Sequence, residues 1–196
     1  MSLLFTLVTI IIMVPSLVGA DEPQAESGDI TLDAASSEVD FRANIVLFRN
    51  IVISQGKVRV VAQRARSTGL DFDDSTWMLS GTVRIEVDGG VLTSDEASVT
   101  FQGNRIVSAS IRGKPAEFSQ LLKDGSRTRG RAGSILYDVT ASIVTLREEA
   151  WLSDDGRSEI RGDQLVYYTR EERVQAGKPV GSNERVRIII RPKVSP

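Results

Sequence analysis

A faint internal repeat runs through most of this 196-residue chain and limits the folds open to it. Apolar anchors recur at intervals of 31, 32, 35 and 30 residues, at Phe48, Leu79, Ile111, Leu146 and, more weakly, Ala176. A second apolar mark follows the first four anchors, at Ala65, Ala97, Ile135 and Leu165. Units of this length cannot bury their apolar face alone and must stack on their neighbours. We therefore expect stacked units whose function lies along a continuous surface.

The residues between these anchors alternate with the period of a β-strand. Val83, Ile85 and Val87 alternate with Arg84 and Glu86, as in a strand buried on one face. Pairs that favour the positive φ angles of tight hairpins recur at Gln55-Gly56, Asp88-Gly89, Gly103-Asn104, Asp124-Gly125 and Asp155-Gly156. Residues 140–150 could form a helix, but three consecutive β-branched residues favour a strand. We predict one all-β domain of a dozen or more short strands in antiparallel meander order.

The composition excludes several classes of catalytic chemistry. The chain has no cysteine and no histidine, which removes disulfides, thiol nucleophiles, histidine bases and most zinc sites. Adjacent acids occur at Asp73-Asp74, Glu148-Glu149 and Asp154-Asp155, but they fall at predicted turns and strand ends, where solvated charge is the ordinary interpretation. The sequence also has no phosphate-binding glycine loop. We predict a protein that is not an enzyme, with no catalytic residue, no metal site and no cofactor.

The charged residues carry a weaker signal about ligands. The net charge is −2, so there is no electrostatic case for wholesale nucleic-acid binding, which needs a basic face. Arginine outnumbers lysine by 19 to 5, which suits bidentate binding of phosphate or carboxylate, although codon bias explains the excess as well. Arg127, Arg129 and Arg131 alternate along a predicted strand and point to one side. They could meet phosphates or anionic sugars, but we interpret them as a solvated outer face.

The first twenty residues differ in composition from the rest. Residues 3–14 are apolar apart from two threonines, and Val18-Gly19-Ala20 offers the small residues that precede a signal-peptidase cleavage site. The two residues before this segment carry no positive charge, which leaves an uncleaved anchor open, although the segment is short for a membrane span. We predict a cleaved signal peptide at 1–20, a flexible lead-in at 21–28, the β-domain at 29–192 and a C-terminal tail at 193–196.

An open stack of strands leaves two edges that can pair with other strands. The N-terminal candidate contains Ile30 and Leu32, and the C-terminal candidate contains Ile188 and Ile190. These residues belong either to ordinary terminal strands or to an edge-strand interface through which similar domains pair head to tail.

The expected interior is lined mainly by Val, Ile and Ala. Side chains of this size pack incompletely between two layers and leave room for a groove that takes acyl chains, whose burial is favourable by about 0.8 kcal/mol per methylene. Most aromatic residues are expected to fill the core: Phe41, Phe48, Trp77, Phe101, Phe118, Tyr137, Trp151 and Tyr167.

Six segments resemble, in order, the sequence elements of one known family. Residues 113–120, Gly-Lys-Pro-Ala-Glu-Phe-Ser-Gln, are similar to its G-K-P-A-x-F-x-Q stretch. The other matches are 50–56 to G-N-V-x-I-x-Q-G, 132–138 to A-x-x-x-x-Y-D/E, 144–152 to V-x-L-x-G-N-A-x-L, 162–167 to G-D-x-I-x-Y and 185–192 to R-V-x-x-x-I-x-P. The chain thus resembles the LptA (OstA-like) periplasmic lipopolysaccharide transport family over essentially all of 29–192. Asn50 and Glu149 stand near positions where the family favours Gly-Asn, which predicts altered turns there.

The resemblance implies an antiparallel β-jellyroll, a folded-over stack of strands with an apolar groove. It implies a non-enzymatic periplasmic bridge that binds the lipid A acyl chains of lipopolysaccharide and carries it from the inner to the outer membrane for outer-membrane assembly. The implied partners are an LptC-like inner-membrane protein and an LptD-like outer-membrane protein. Family members can also stack end to end, so a head-to-tail homo-oligomer is expected.

On this hypothesis, the alternation of each strand selects the lipid-binding residues that line the groove. They are Val58, Val60, Val83, Ile85, Phe118, Tyr137, Leu146 and Leu152. Two alternatives stay open. One is an LptC-like protein that keeps residues 1–20 as an inner-membrane anchor, and the other is a structural envelope domain that binds no lipid.

Overall fold

The computed structural model describes residues 29–69, 72–155, 157–177 and 185–191. The predicted signal peptide, lead-in and C-terminal tail lie outside these residues. The described residues contain twelve strands and no helix, and therefore no helix that could cross a membrane. The strands are β1 (Thr31–Asp33), β2 (Ser36–Asp40), β3 (Ile45–Gln55), β4 (Val58–Thr68), β5 (Asp74–Val87), β6 (Gly90–Gln102), β7 (Arg105–Leu121), β8 (Arg127–Asp138), β9 (Ile143–Asp154), β10 (Ser158–Tyr168), β11 (Arg173–Gly177) and β12 (Arg187–Ile190).

Every pairing is antiparallel, and strands β3 to β10 follow one another across the sheet in chain order. Two short strands complete each edge. At the N-terminal edge, β1 and β2 both pair with β3, and at the C-terminal edge β11 and β12 both pair with β10. The predicted antiparallel all-β fold and meander order are therefore confirmed.

The central strands are longer than the sequence suggested, because β3 to β10 have between 11 and 17 residues. The alternation of apolar residues breaks near the middle of these strands, and each long strand therefore reads in the sequence as two short ones. The breaks are register shifts at residues 61–64, 80–83, 93–96, 112–116, 131–134 and 162–164. Irregularities of this kind bend a strand and increase its twist.

Residues with positive φ angles mark the same line of bends. Asn50 has a φ of 50° in β3, Thr82 has 49° in β5, and Glu148 and Glu149 have 69° and 58° in β9. The altered turns expected at Asn50 and Glu149 are thus bends within strands, not turns between them. Left-handed backbone is costly for residues other than glycine, so these positions are held by the surrounding sheet.

The bends fold the sheet over so that one half of each strand packs on the other half. The ring centroids of Phe118 and Tyr167 lie 5.8 Å apart across this interior. The end of β3 is also joined to the start of β7. The Gln55 side chain donates to the Asn104 carbonyl at 2.6 Å and accepts from the Ile106 N–H at 3.2 Å. The result is a two-layer arrangement that agrees with the expected folded-over jellyroll.

The sequence repeat is the direct product of this folding. Its two sets of marks are cross-strand partners in one unbroken row over nine strands, here named the anchor row. The row runs Phe48, Ala65, Leu79, Ala97, Ile111, Ile135, Leu146, Leu165, Ala176. All except Ala176 are buried. The repeat length is therefore the length of one up-and-down pair of strands.

A second row of cross-strand partners lies beyond the line of bends. It runs Leu32, Ile53, Val60, Ile85, Leu92, Phe118, Gly130, Leu152, Ile160, Ile188. Gly130 shows how closely it approaches the anchor row, since a Cβ atom placed there would lie 2.7 Å from Leu146 Cδ2. The two rows form the apolar interior.

Gly113 marks the most crowded backbone of the bend in β7. A Cβ atom there would lie 2.9 Å from the Pro115 carbonyl oxygen and 3.0 Å from the Ala116 nitrogen. Because backbone cannot move aside as a side chain can, we expect Gly113→Ala to lower the free energy of unfolding by about 1–3 kcal/mol. Gly177→Ala is the matched control, since within the described residues no atom beyond the chain neighbours of Gly177 lies within 4 Å of its added methyl group. Urea unfolding of both variants checks this; an equal effect of the two would contradict it.

Candidate functional site: the apolar interior and the two sheet edges

The residues selected as groove-lining all face the interior. Val60, Val83, Ile85, Phe118, Tyr137, Leu146 and Leu152 are buried, and Val58 is half-buried against the same core. The strand register that placed them inward is therefore correct. Their binding of lipid stays a prediction, because the interior is closed over most of its length in this structure.

Aromatic rings fill the interior between β3 and β6. Trp77 is stacked on Phe48 at 5.4 Å and on Phe72 at 4.9 Å, and Phe101 lies 5.8 Å from Trp77. The predicted core role is confirmed for Phe48, Trp77, Phe101, Phe118, Tyr137 and Tyr167, all of which are buried. We refer to Phe48, Phe72, Trp77 and Phe101 as the aromatic cluster. It packs this part of the interior solidly.

Two aromatic predictions were wrong. Phe41 is 91% exposed, because Asp40 accepts the N–H groups of Arg42 and Ala43 and closes a turn that carries Phe41 outward. Trp151 is half-buried on the outer face, opposite Arg161 in β10. Leu152, the next residue in β9, faces inward, and consecutive residues of a strand point to opposite faces, so Trp151 points outward.

The interior opens at its C-terminal end. A cavity of about 400 Å³ lies there, lined on its apolar side by Leu122, Leu152, Ile160, Tyr167 and Val174. The second row ends beside it at Ile188, whose side chain is 61% exposed. Within the described residues, an apolar ligand in this cavity would contact interior side chains without displacing the core.

A polar atom lies within this end of the interior. The Tyr167 hydroxyl is buried beside the Thr128 hydroxyl, and within the described residues it makes no hydrogen bond of good geometry. Burial raises the pKa of Tyr167, an effect opposed by the neighbouring Thr128 hydroxyl. Burial likewise raises the pKa of Tyr137. Both tyrosines are therefore neutral at physiological pH. Tyr167 and Thr128 both line the cavity, so a ligand that enters it would meet these two hydroxyl-bearing side chains.

The arrangement suits the binding of an apolar ligand. The chain has no histidine or cysteine, and the described residues contain no cluster of acidic side chains that could hold a metal ion. The interior side chains are almost entirely aliphatic or aromatic. Burial of apolar surface is the one large free-energy term that such an interior offers a ligand.

The predicted edge residues lie at the two ends of the sheet. Leu32 is half-buried in β1 and Ile30 directly precedes this strand, whereas Ile188 and Ile190 are exposed in β12. The sequence did not indicate that β2 and β11 share these edges. Interface formation by the four residues stays a prediction, supported by edge strands that have one unpaired side.

Glu159 holds the C-terminal edge in place. Its carboxylate accepts from Arg191 at 2.7 Å, from Arg161 at 3.2 Å and from the Trp151 indole N–H at 3.3 Å. These hydrogen bonds, that of Arg191 first, hold the pKa of Glu159 below its ordinary value of 4.5. The carboxylate therefore contributes stability above pH 4.5, and this contribution is lost as the pH falls through the lowered pKa.

We expect Glu159→Gln to be less stable than the original protein at pH 7, and the difference to shrink as the pH falls below about 4. Urea unfolding at both pH values measures it. The Trp151 indole N–H resonance should also titrate with Glu159 in the original protein and not in the variant. A stability difference that does not change with pH would contradict this assignment.

Comparisons with known proteins support one family. A family model described as "LptA/(LptD N-terminal domain) LPS transport protein" matches residues 64–173, more than half of the chain. The lipopolysaccharide export system protein LptA of Escherichia coli K12 is 26% identical over 188 residues, covering 93% of this chain and 84% of its own. The lipopolysaccharide export system protein LptH of Pseudomonas aeruginosa is 26% identical over 178 residues, covering 87% and 83%.

Among solved structures, the crystal structure of P. aeruginosa LptH, described as the LptA-homologous periplasmic component of the lipopolysaccharide transport device, is similar. It is 22% identical, covers 84% of this chain and 96% of that chain, and gives a TM-score of 0.48. The matched residues 64–173 run from β4 into β11 and contain most of the anchor row. The chain belongs to the LptA/(LptD N-terminal domain) family of lipopolysaccharide transport proteins.

Proposed function

We propose that this protein is a periplasmic lipopolysaccharide-binding bridge, which carries lipopolysaccharide from the inner to the outer membrane for outer-membrane assembly. Membership of the transport family and two curated relatives named as lipopolysaccharide export proteins support this proposal. The observation that carries it is the pair of apolar rows, which face each other along the whole sheet and open at one end.

The apolar rows fit the acyl chains of lipid A by length and chemistry. Adjacent strands lie about 4.8 Å apart, so a row over nine strands extends roughly 40 Å, longer than an acyl chain. Each methylene that leaves water gains about 0.8 kcal/mol. The ligand enters at the C-terminal cavity, and deeper binding at the predicted residues from Val58 to Leu152 requires the two layers to separate.

The two sheet edges provide the contacts of a bridge. Strands β1 and β2 at one end and β11 and β12 at the other can pair with the edge strand of another domain through backbone hydrogen bonds. The partners we propose are an LptC-like protein at the inner membrane, an LptD-like protein at the outer membrane and further copies of this chain. Pairing of this kind would continue the apolar rows from one domain into the next.

Export to the periplasm through a cleaved signal peptide at 1–20 is part of the proposal. The test is mass spectrometry of the protein purified from cells under native conditions. We expect a soluble protein that begins at Asp21 and carries lipopolysaccharide. An intact N-terminus in the membrane fraction would favour the LptC-like anchored alternative. A mature protein that never binds lipid A would favour a structural envelope domain.

A further inference from the structure

The outer face of β8 carries three arginines that the apolar interior does not use. Arg127, Arg129 and Arg131 occupy alternate positions, about 7 Å apart along the strand. They line a groove of about 570 Å³ together with Glu117 and Ser119 on β7 and Trp151 on β9. We name this the arginine groove. Its walls are built by neighbouring strands, so it is more than the solvated face that the sequence suggested.

Arg131 is held in place at the end of the groove nearest the bends. Its guanidinium carbon lies 4.4 Å from the centroid of the Trp151 ring, which fixes one face of the group. Trp151 is itself fixed, because its indole N–H donates to Glu159 at 3.3 Å. A guanidinium group in contact with a ring through its face keeps its N–H donors free at its edge. Arg131 is thus a prearranged donor of bidentate hydrogen bonds.

The positive charge of the groove is not neutralised within the described part of the chain. No carboxylate there lies within ion-pair distance of Arg127, Arg129 or Arg131. Glu117 is the one acidic residue in the lining, and Glu159 is already bound by Arg161 and Arg191. Three guanidinium groups against one carboxylate leave an excess of positive charge in a chain whose net charge is −2.

The groove continues into a larger one along the line of bends. This second groove, of about 940 Å³, shares Arg131 and Trp151 with the first and adds Lys114, Arg161, Glu148 and Glu149. Its floor includes Gly113, Gly133 and Gly162, which have no side chain to fill it. Cations and hydrogen-bond acceptors therefore line two adjoining grooves, each large enough for a ligand of sugar size.

We propose that the arginine groove binds a phosphate-bearing saccharide, the polar part of the same lipopolysaccharide whose acyl chains enter the interior. This inference rests on the proposed function. A phosphate can accept hydrogen bonds of about 2.8 Å from two arginines whose backbone positions are roughly 7 Å apart on one strand, because the long side chains can converge on it. Glu117 and Ser119 offer hydrogen-bond partners for sugar hydroxyls. A membrane surface fits less well, because no lining side chain is both apolar and exposed.

The test uses two acyl-free saccharides prepared from lipopolysaccharide, one with its phosphates and one treated with phosphatase. Binding to the full mature protein is followed by the Trp151 indole N–H resonance. We expect saturable binding of the phosphorylated saccharide, at least tenfold weaker binding without phosphate, and a steep decrease with salt. The double variant Arg129→Ala/Arg131→Ala should weaken binding at least tenfold, and Arg131→Lys should restore only part of it.

Arg64→Ala/Arg66→Ala is the matched control, since these two arginines are also exposed at alternate positions of β4. An equal loss with this control, or equal binding of the two saccharides, would overturn the inference. Binding of phosphatidylglycerol vesicles without binding of the saccharide would also overturn it, in favour of a membrane surface. If the saccharide does not bind while intact lipopolysaccharide still co-purifies, the arginine groove is not a binding site, but the proposed function stands. If the saccharide binds but acyl chains do not, the proposed lipid-binding function of the interior is wrong instead.

Discussion

Replacing Trp77 by alanine is expected to lower the free energy of unfolding by about 3–5 kcal/mol. The side chain is 0% exposed and touches the rings of Phe48, Phe72 and Phe101. Its removal creates a cavity that the strands cannot close, because their spacing is set by the sheet hydrogen bonds. Urea unfolding followed by circular dichroism measures the loss.

Met78→Ala is the control for this substitution. Met78 is the next residue along β5 but points to the opposite face and is 55% exposed. We expect an effect below about 1 kcal/mol. If Trp77→Ala costs no more than Met78→Ala, the aromatic cluster does not stabilise the interior and the description of its packing is wrong.

Replacing Ile160 by aspartate is expected to weaken acyl-chain binding by about tenfold or more. Ile160 lies in the second row and lines the C-terminal cavity. The substitution removes apolar contact worth about 0.8 kcal/mol per methylene and places a carboxylate where a ligand would have to desolvate it. Displacement of a fluorescent fatty acid by lipopolysaccharide measures the change. Because Ile160 is half-buried, the variant is expected to fold.

Leu136→Asp controls for the introduced charge. Leu136 lies on the outer face of β8 and is exposed, so its substitution should leave acyl-chain binding unchanged. Both variants need a circular dichroism spectrum like that of the original protein before their affinities are compared. Equal affinities for Ile160→Asp and the original protein would show that the C-terminal cavity is not the entrance.

Much of the fold follows from the sequence because alternation and repeat length act together. The anchors and their second marks predicted stacked units, and in the structure they form a single row of cross-strand partners. The alternation of residues such as Val83 and Ile85 placed the groove-lining side chains inward. The alternation depends on the two-residue period of a strand, and the repeat depends on the length of one pair of strands; both are expressed directly in the sequence.

The bends were harder to predict, because they depend on packing between strands. Glu148 and Glu149 are not residue types that favour positive φ, and only the family resemblance indicated an altered turn near Glu149. Their backbone is held by the sheet around them. As a result, the second row, which lies beyond the bends, was not recognised as the partner of the anchor row. It includes Gly130, whose missing side chain makes room for Leu146.

The outer face was also underestimated. The three alternating arginines of β8 were visible in the sequence, but Trp151 was assigned to the core by its residue type. Only the pairing of β8 with β9 brings Trp151 opposite Arg131. Because side chains alternate between the two faces of a strand, a shift of one residue moves Trp151 from the interior to the outer face. The register must therefore be known before a surface site can be assigned.

The most direct test of the central claim is site-specific photo-crosslinking to lipopolysaccharide in cells. A photoreactive side chain is placed at Val60, Ile85 or Leu152, which face the interior, and at Arg84 or Glu86, which point outward from β5. We expect capture of lipopolysaccharide at the three interior positions and little or none at the two outer ones. Equal capture at both sets would contradict a lipid-binding interior.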